Sequence, residues 1–182
     1  STTRSFGNAD ALKKRRVKVR YPRAATSIDA PLADVVLAEI ARLGGTVATH
    51  TTPRPQLTEQ LVIGERRLPE SMRQFHGDIA FPVDTNLRGT IMKDYGVKTV
   101  QLPRGADLRE YACSRHKPWF GIAYEQPGHA YFVVNLDDPD ITNPMVYRLD
   151  PEGRDERPLE TELTLARFLK KLKLAKPKAV KK

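Results

Sequence analysis

Apolar positions along the chain fall into two regimes, helical spacing between residues 30 and 76 and a shorter period from residue 79 to 149. Leu32, Val35, Val36, Ile40 and Leu43 form one stripe, which predicts a helix over about 32–43. Asp29 is the expected cap, and Pro31 suits an early helical position, where its missing N–H has no partner in any case. Gly44-Gly45 should end the helix, because glycine accepts the left-handed conformation a helix stop needs. Residues 46–52 are rich in β-branched side chains and read as a strand, interrupted by Pro53 and Pro55. Residues 57–63 read as a short helix capped by Thr58. Residues 68–75 read as another, with Pro69 in its first turn and Leu68, Met72 and Phe75 on one side.

The shorter period predicts strands over 79–83, 90–92 and 97–102, then a helical stretch over 107–116. The clearest strands are 119–124, 130–136 and 145–149. The first two are joined by Glu125-Gln126-Pro127-Gly128-His129, a connection suited to a hairpin. Asp137-Asp138-Pro139-Asp140 and Asp150-Pro151-Glu152-Gly153 are the next turns. A last helix is expected over 163–174, capped by Thr161 or Thr164, with Leu165, Phe168, Leu169 and Leu172 on one face. Strands grouped together rather than alternating with helices argue for an α+β fold, the closing helix covering one sheet face.

Composition adds the organisation. The chain has 182 residues, which fits one domain with extensions. No apolar run approaches membrane-spanning length, and the first residues do not read as a signal peptide. Cys113 is the single cysteine, so an intrachain disulfide is excluded and a reducing, cytoplasmic setting is expected. Charge is strongly divided. Residues 1–30 carry +6, residues 31–166 carry −5 and residues 167–182 carry +8, for a net +9. The expected layout is a basic arm over 1–27, an α+β domain over 28–174 and a basic tail over 175–182.

This split points to the ends rather than the mildly acidic body as the place where nucleic acid would be met. Lys13, Lys14, Arg15, Arg16, Lys18 and Arg20 in the arm, and Lys176, Lys178, Lys181 and Lys182 in the tail, are candidate contacts for a DNA or RNA backbone. Phe6 and Tyr21 are the only aromatic residues there, so such contact should be insensitive to sequence. The plainer role for these cations is to keep the chain in solution.

Catalytic chemistry finds little support. Cys113 and His116 would share a helical face, yet spacing shows no Asn or Asp to orient the imidazole. Adding His129 gives no recognisable metal-ligand spacing, and Gly44-Gly45 lacks the pattern of a phosphate loop. No enzyme activity, metal or other cofactor is therefore expected. Asp137, Asp138 and Asp140 read first as a solvated turn and second as an acidic contact for a basic partner. Trp119 and Phe120 are adjacent in a strand, so they point to opposite faces: one belongs to the core and the other is a candidate anchor. Candidate protein-contact residues are thus Trp119, Tyr124, Asp137, Asp138 and Asp140.

The ordered segments Leu68-Pro69-Glu70-Ser71-Met72-Arg73-Gln74-Phe75, Pro118-Trp119-Phe120-Gly121-Ile122-Ala123-Tyr124, Ala130-Tyr131-Phe132-Val133-Val134-Asn135-Leu136 and Asn143-Pro144-Met145-Val146-Tyr147-Arg148-Leu149-Asp150, followed by a helix ending near Leu172, resemble the SUKH superfamily of cell-wall-assembly regulators and toxin-immunity proteins. Arg167 departs from the acidic residue usual in that closing helix, and residues 1–50 have no counterpart. The resemblance implies helices packed on a curved, mostly antiparallel sheet. It also implies binding to a protein partner, often a toxin. The charge split suggests a second role, as a component of a nucleoprotein or other large assembly, such as a virion or ribosome-associated particle, anchored by the arms.

Overall fold

The computed structural model describes residues 25–48, 62–63, 66–82, 87–92, 96, 98–102, 118–126, 130–150 and 157–175. The first apolar stripe forms helix α1 (Asp34–Arg42), with Val36 and Ile40 buried. It begins two residues later than the stripe and without the expected Asp29 cap; Ala33 holds the cap position and makes no side-chain bond. The reason is tertiary. Leu32 N–H donates to Gln74 Oε1 (2.8 Å) and Ala33 N–H to the Thr142 carbonyl (3.0 Å), so these N–H groups need no local acceptor. Val35, placed in the stripe by sequence, is 56% exposed. Gly44 ends the helix at φ 80°, and a Cβ on Gly45 would lie 2.7 Å from Ile40 Cγ2.

Next come β1 (Thr46–Val47), β2 (Val62–Ile63), β3 (Arg66–Arg67), helix α2 (Glu70–Gly77) and β4 (Ile79–Ala80). β1 pairs with β4 and β2 with β3, both antiparallel. The helix expected over 57–63 is corrected at its end: Val62 and Ile63 are strand, as two β-branched residues ahead of a glycine favour. Residues 57–61 lie outside the described residues. In α2, Leu68, Met72 and Phe75 are buried as expected, together with Ser71 and His76.

The main sheet comprises β5 (Leu87–Gly89), β6 (Lys98–Gln101), β7 (Trp119–Gln126), β8 (Tyr131–Asn135), β9 (Met145–Leu149), β10 (Leu159–Thr164) and β11 (Leu172–Leu174), with helix α3 (Leu165–Lys170) between the last two strands. Its order is β10-β9-β8-β7-β6-β5-β11, every neighbour antiparallel. The strand expected over 90–92 lies at Leu87–Gly89 instead. The closing helix is also shorter than its stripe. Thr164 caps it, accepting from Arg167 N–H (3.4 Å), but after Lys171 the chain turns into β11 and pairs with β5. Leu172 is buried in either geometry, so the stripe at 165, 168, 169 and 172 did not discriminate. The alternation Leu172-Lys173-Leu174 is the strand signal.

β10 and β11 are the two edges of this sheet, and α3 links them. Seven flat strands would hold their edges roughly 29 Å apart at the usual ~4.8 Å spacing. The six residues of α3 advance only about 9 Å. The sheet must therefore curl around the helix that joins its edges. Phe120, Ile122, Phe132, Val134, Val146 and Val100 line the inner face, against Leu165, Phe168 and Leu169 of α3. The Phe132 and Phe168 rings meet at 4.9 Å. Each such fully buried side chain contributes about 1.5–3 kcal/mol. Gly89 is needed at the β5–β11 seam: a Cβ there would lie 2.7 Å from the Lys171 carbonyl oxygen.

Two polar ties fix the helices on this frame. Arg42 Nη2 donates to the carbonyls of Leu169 (2.8 Å) and Leu172 (2.9 Å), joining α1 to the end of α3. Thr26, assigned to the arm by sequence, docks on the 137–142 turn: its N–H donates to the Pro139 carbonyl (2.7 Å), and its Oγ1 accepts from Ile141 N–H (3.1 Å). No helix among the described residues is long and apolar enough to cross a membrane.

Candidate binding surface

Strict alternation would place Trp119 and Tyr124, five residues apart, on opposite faces of β7. A bulge changes this. Gly121 pairs with Val133 and Ala123 with Phe132, leaving Ile122 as the extra residue. Trp119 is then opposite Asn135 and Tyr124 opposite Tyr131, four residues apart on β8 and therefore on one face. Phe120 goes to the core, and its neighbour Trp119 to the outer face, where it is half-buried.

Four half-buried rings stand on this outer face, with buried Leu149 opposite Tyr131 on the same face. Trp119 and Tyr147 meet edge-on at 4.8 Å, reaching across β8 from its two neighbouring strands. Between them, Val133 is fully buried, and Gly121, its partner on β7, contributes no side chain. Tyr124 and Tyr131 meet at 5.2 Å. Gln101 and Gln126 on β6 and β7 and Asn135 on β8 make a polar border. Sequence reading identified Trp119 and Tyr124 but not their partners Tyr147 and Tyr131. The usable signal was Val146-Tyr147-Arg148, where an aromatic alternates with a buried valine.

The acidic turn divides. Asp138 closes the turn on itself: Oδ1 accepts from Asp140 N–H (2.9 Å) and Oδ2 from Met145 N–H (2.9 Å). Asp140 Oδ1 accepts from Thr142 Oγ1 (2.5 Å). Asp137 is the exposed member of the trio.

On the inner face, sequence reading missed a charged cluster. Glu125 is 1% exposed and accepts from Arg148 Nε (3.0 Å) and Nη2 (3.3 Å), with Lys98 Nζ at 3.5 Å. These residues lie on β6, β7 and β9 and meet only through the sheet register. Two cations and one carboxylate, largely removed from water, form a structural lock more readily than a reactive set.

His76 is also internal. Its Nε2 is 2.8 Å from the Gly121 carbonyl, which can only accept, so the ring carries its proton there. Burial lowers its pKa from 6.5 to about 3, so the imidazole is neutral across the physiological range. It packs 4.6 Å from the Phe120 ring and ties α2 to β7.

Among the described residues no group of three or more His, Cys, Asp and Glu could hold a metal ion. Cys113, His116 and His129 lie outside them, as do Lys13, Lys14, Arg15, Arg16, Lys18, Arg20, Lys176, Lys178, Lys181 and Lys182. Comparison with protein-family models, curated proteins and solved structures found no match.

Proposed function

We propose that this chain is a non-catalytic, SUKH-type protein-binding domain of the cytoplasm that receives its partner on the outer face of the curled sheet. The observation that carries this is the placing of Trp119, Tyr147, Tyr124 and Tyr131 on one face of the sheet, half-buried, with polar side chains beside them. Trp and Tyr dominate binding hot spots because they offer large area for little lost conformational freedom. Asp137, at the end of β8, adds a charge that suits a basic partner. A toxin to be neutralised is the partner class the resemblance implies.

The test is co-purification of the full chain from its native cell, then titration of the captured partner. Trp119→Ala is expected to weaken a stoichiometric complex by about 2 kcal/mol or more, roughly thirtyfold. Gln126→Ala, at the border, should change it little. A complex indifferent to Trp119→Ala and Tyr124→Ala together would sink the proposal.

The charge split supports a second role, in which arm and tail anchor the chain to a nucleoprotein assembly. Removing 1–24 and 176–182 leaves Thr26 and Ala175 in place. It should abolish salt-dependent association if the ends are the anchors.

A further inference from the structure

Lys173 and Arg88 are register partners on the antiparallel pair β11–β5, both exposed and both pointing away from the core. Like charges directly opposite one another destabilise a sheet. Neither residue has an ion pair among the described residues. The register continues the row: Arg88 lies opposite Thr99 on β6, and Thr99 opposite Gln126 on β7. Four adjacent strands thus present an ammonium, a guanidinium, a hydroxyl and an amide in one line across the outer face. Two residues further along the strands, about 7 Å away, the next row is Gln101, Tyr124 and Tyr131. Beyond β11 the sequence runs from Ala175 into Lys176, Lys178, Lys181 and Lys182, with no acid after Glu162.

The geometry points to a site for single-stranded nucleic acid on the folded body itself, distinct from the arms. The Lys173–Arg88–Thr99–Gln126 row meets backbone phosphates, and the Tyr124–Tyr131 row offers a ring face to a base. Phosphate oxygens only accept hydrogen bonds, and every side chain in the first row can donate. Stacking on a ring tolerates any base, so binding should be insensitive to sequence. Among the described residues of β5, β6, β7 and β11 the one carboxylate is Glu125, and it is on the inner face against Arg148. The mildly acidic total for 31–166 concealed the site because Lys173 lies outside that range and joins Arg88 only through the fold.

The test is fluorescence anisotropy of the full chain with a labelled oligouridylate, titrated across salt concentrations. Arg88→Gln with Lys173→Gln removes two phosphate contacts. It should make the plot of log affinity against log salt shallower by about 1.4, since each contact on a single strand contributes about 0.7. Tyr124→Ala should weaken binding severalfold at unchanged slope. Thermal melting is the folding control, and the double variant should melt no lower than the parent because a repulsive pair has been removed. A slope that does not move, or no binding of oligouridylate at all, would overturn the assignment. Tighter binding of poly-glutamate than of oligouridylate would overturn it in favour of an acidic protein. The outcome is separable from the protein-binding proposal through the variants the two do not share, Arg88→Gln with Lys173→Gln here and Trp119→Ala there; Tyr124 belongs to both surfaces.

Discussion

The Arg42 guanidinium lies 2.9 Å from the carbonyl oxygen of Leu172, the first residue of β11, and the same nitrogen reaches Leu169 at 2.8 Å. One side chain thus secures the turn by which α3 delivers the last strand to the sheet. Arg42→Met should cost about 1–2 kcal/mol, the value of charge-assisted bonds at a partly exposed site. Arg42→Lys should recover only part, since a single ammonium lacks the forked geometry. Urea unfolding measures both; a Met variant as stable as the parent would remove this role.

Glu125, itself nearly closed to water, is the carboxylate shared by Arg148 and Lys98. Glu125→Ala leaves two cations without their shared carboxylate and should cost about 3 kcal/mol. Adding Arg148→Met should return part of that loss, because it removes one of the two cations that faced Glu125. A double-mutant cycle should give a coupling above about 1 kcal/mol. Simple additivity would contradict the lock.

His76 predicts an acid-side loss of stability. Its folded pKa, about 3, lies below the ordinary 6.5, so above pH 6.5 neither state takes up a proton and the group adds no pH dependence. As pH falls from 6.5 towards 3, the unfolded chain binds a proton that the folded one excludes. Stability should then drop by up to about 1.4 kcal/mol per pH unit. His76→Gln should flatten the urea midpoint between pH 6.5 and pH 5, above the usual carboxylate range. An equal slope in parent and variant would rule out His76 as the source.

Asp137 and Asp138 should separate binding from folding. Asp138→Ala removes acceptors from Asp140 and Met145 N–H groups and should cost about 1–2 kcal/mol. Asp137→Ala should cost less stability than Asp138→Ala while weakening binding of a basic protein partner. Calorimetry and partner titration on the two variants distinguish them.

What sequence made legible follows from how far each signal reaches. The β7–β8 pair, the opposite facing of Trp119 and Phe120 and a threonine cap at 161 or 164 depend on near neighbours and were readable; the structure chose Phe120 for the core and Thr164 for the cap. Asp29 failed as a cap because Leu32 and Ala33 are served by Gln74 and Thr142, far away in the chain. Tyr124 joined Trp119 on one face only because of a bulge, which alternation does not announce. The Glu125 cluster and the Lys173–Arg88 row depend on strand register, so their members stood as unconnected charges in the sequence. β11 was absorbed into a helix because Leu172 satisfies both periods.

The seam between β5 and β11 also bears on the order of assembly. β6 to β9 can form from neighbouring segments, but β5 keeps one open border until the much later residues 172–174 arrive. During that interval its backbone is a template for another chain. Loss of the final strand would therefore threaten the molecule through aggregation of the half-assembled sheet, beyond the modest loss of contacts that three residues make.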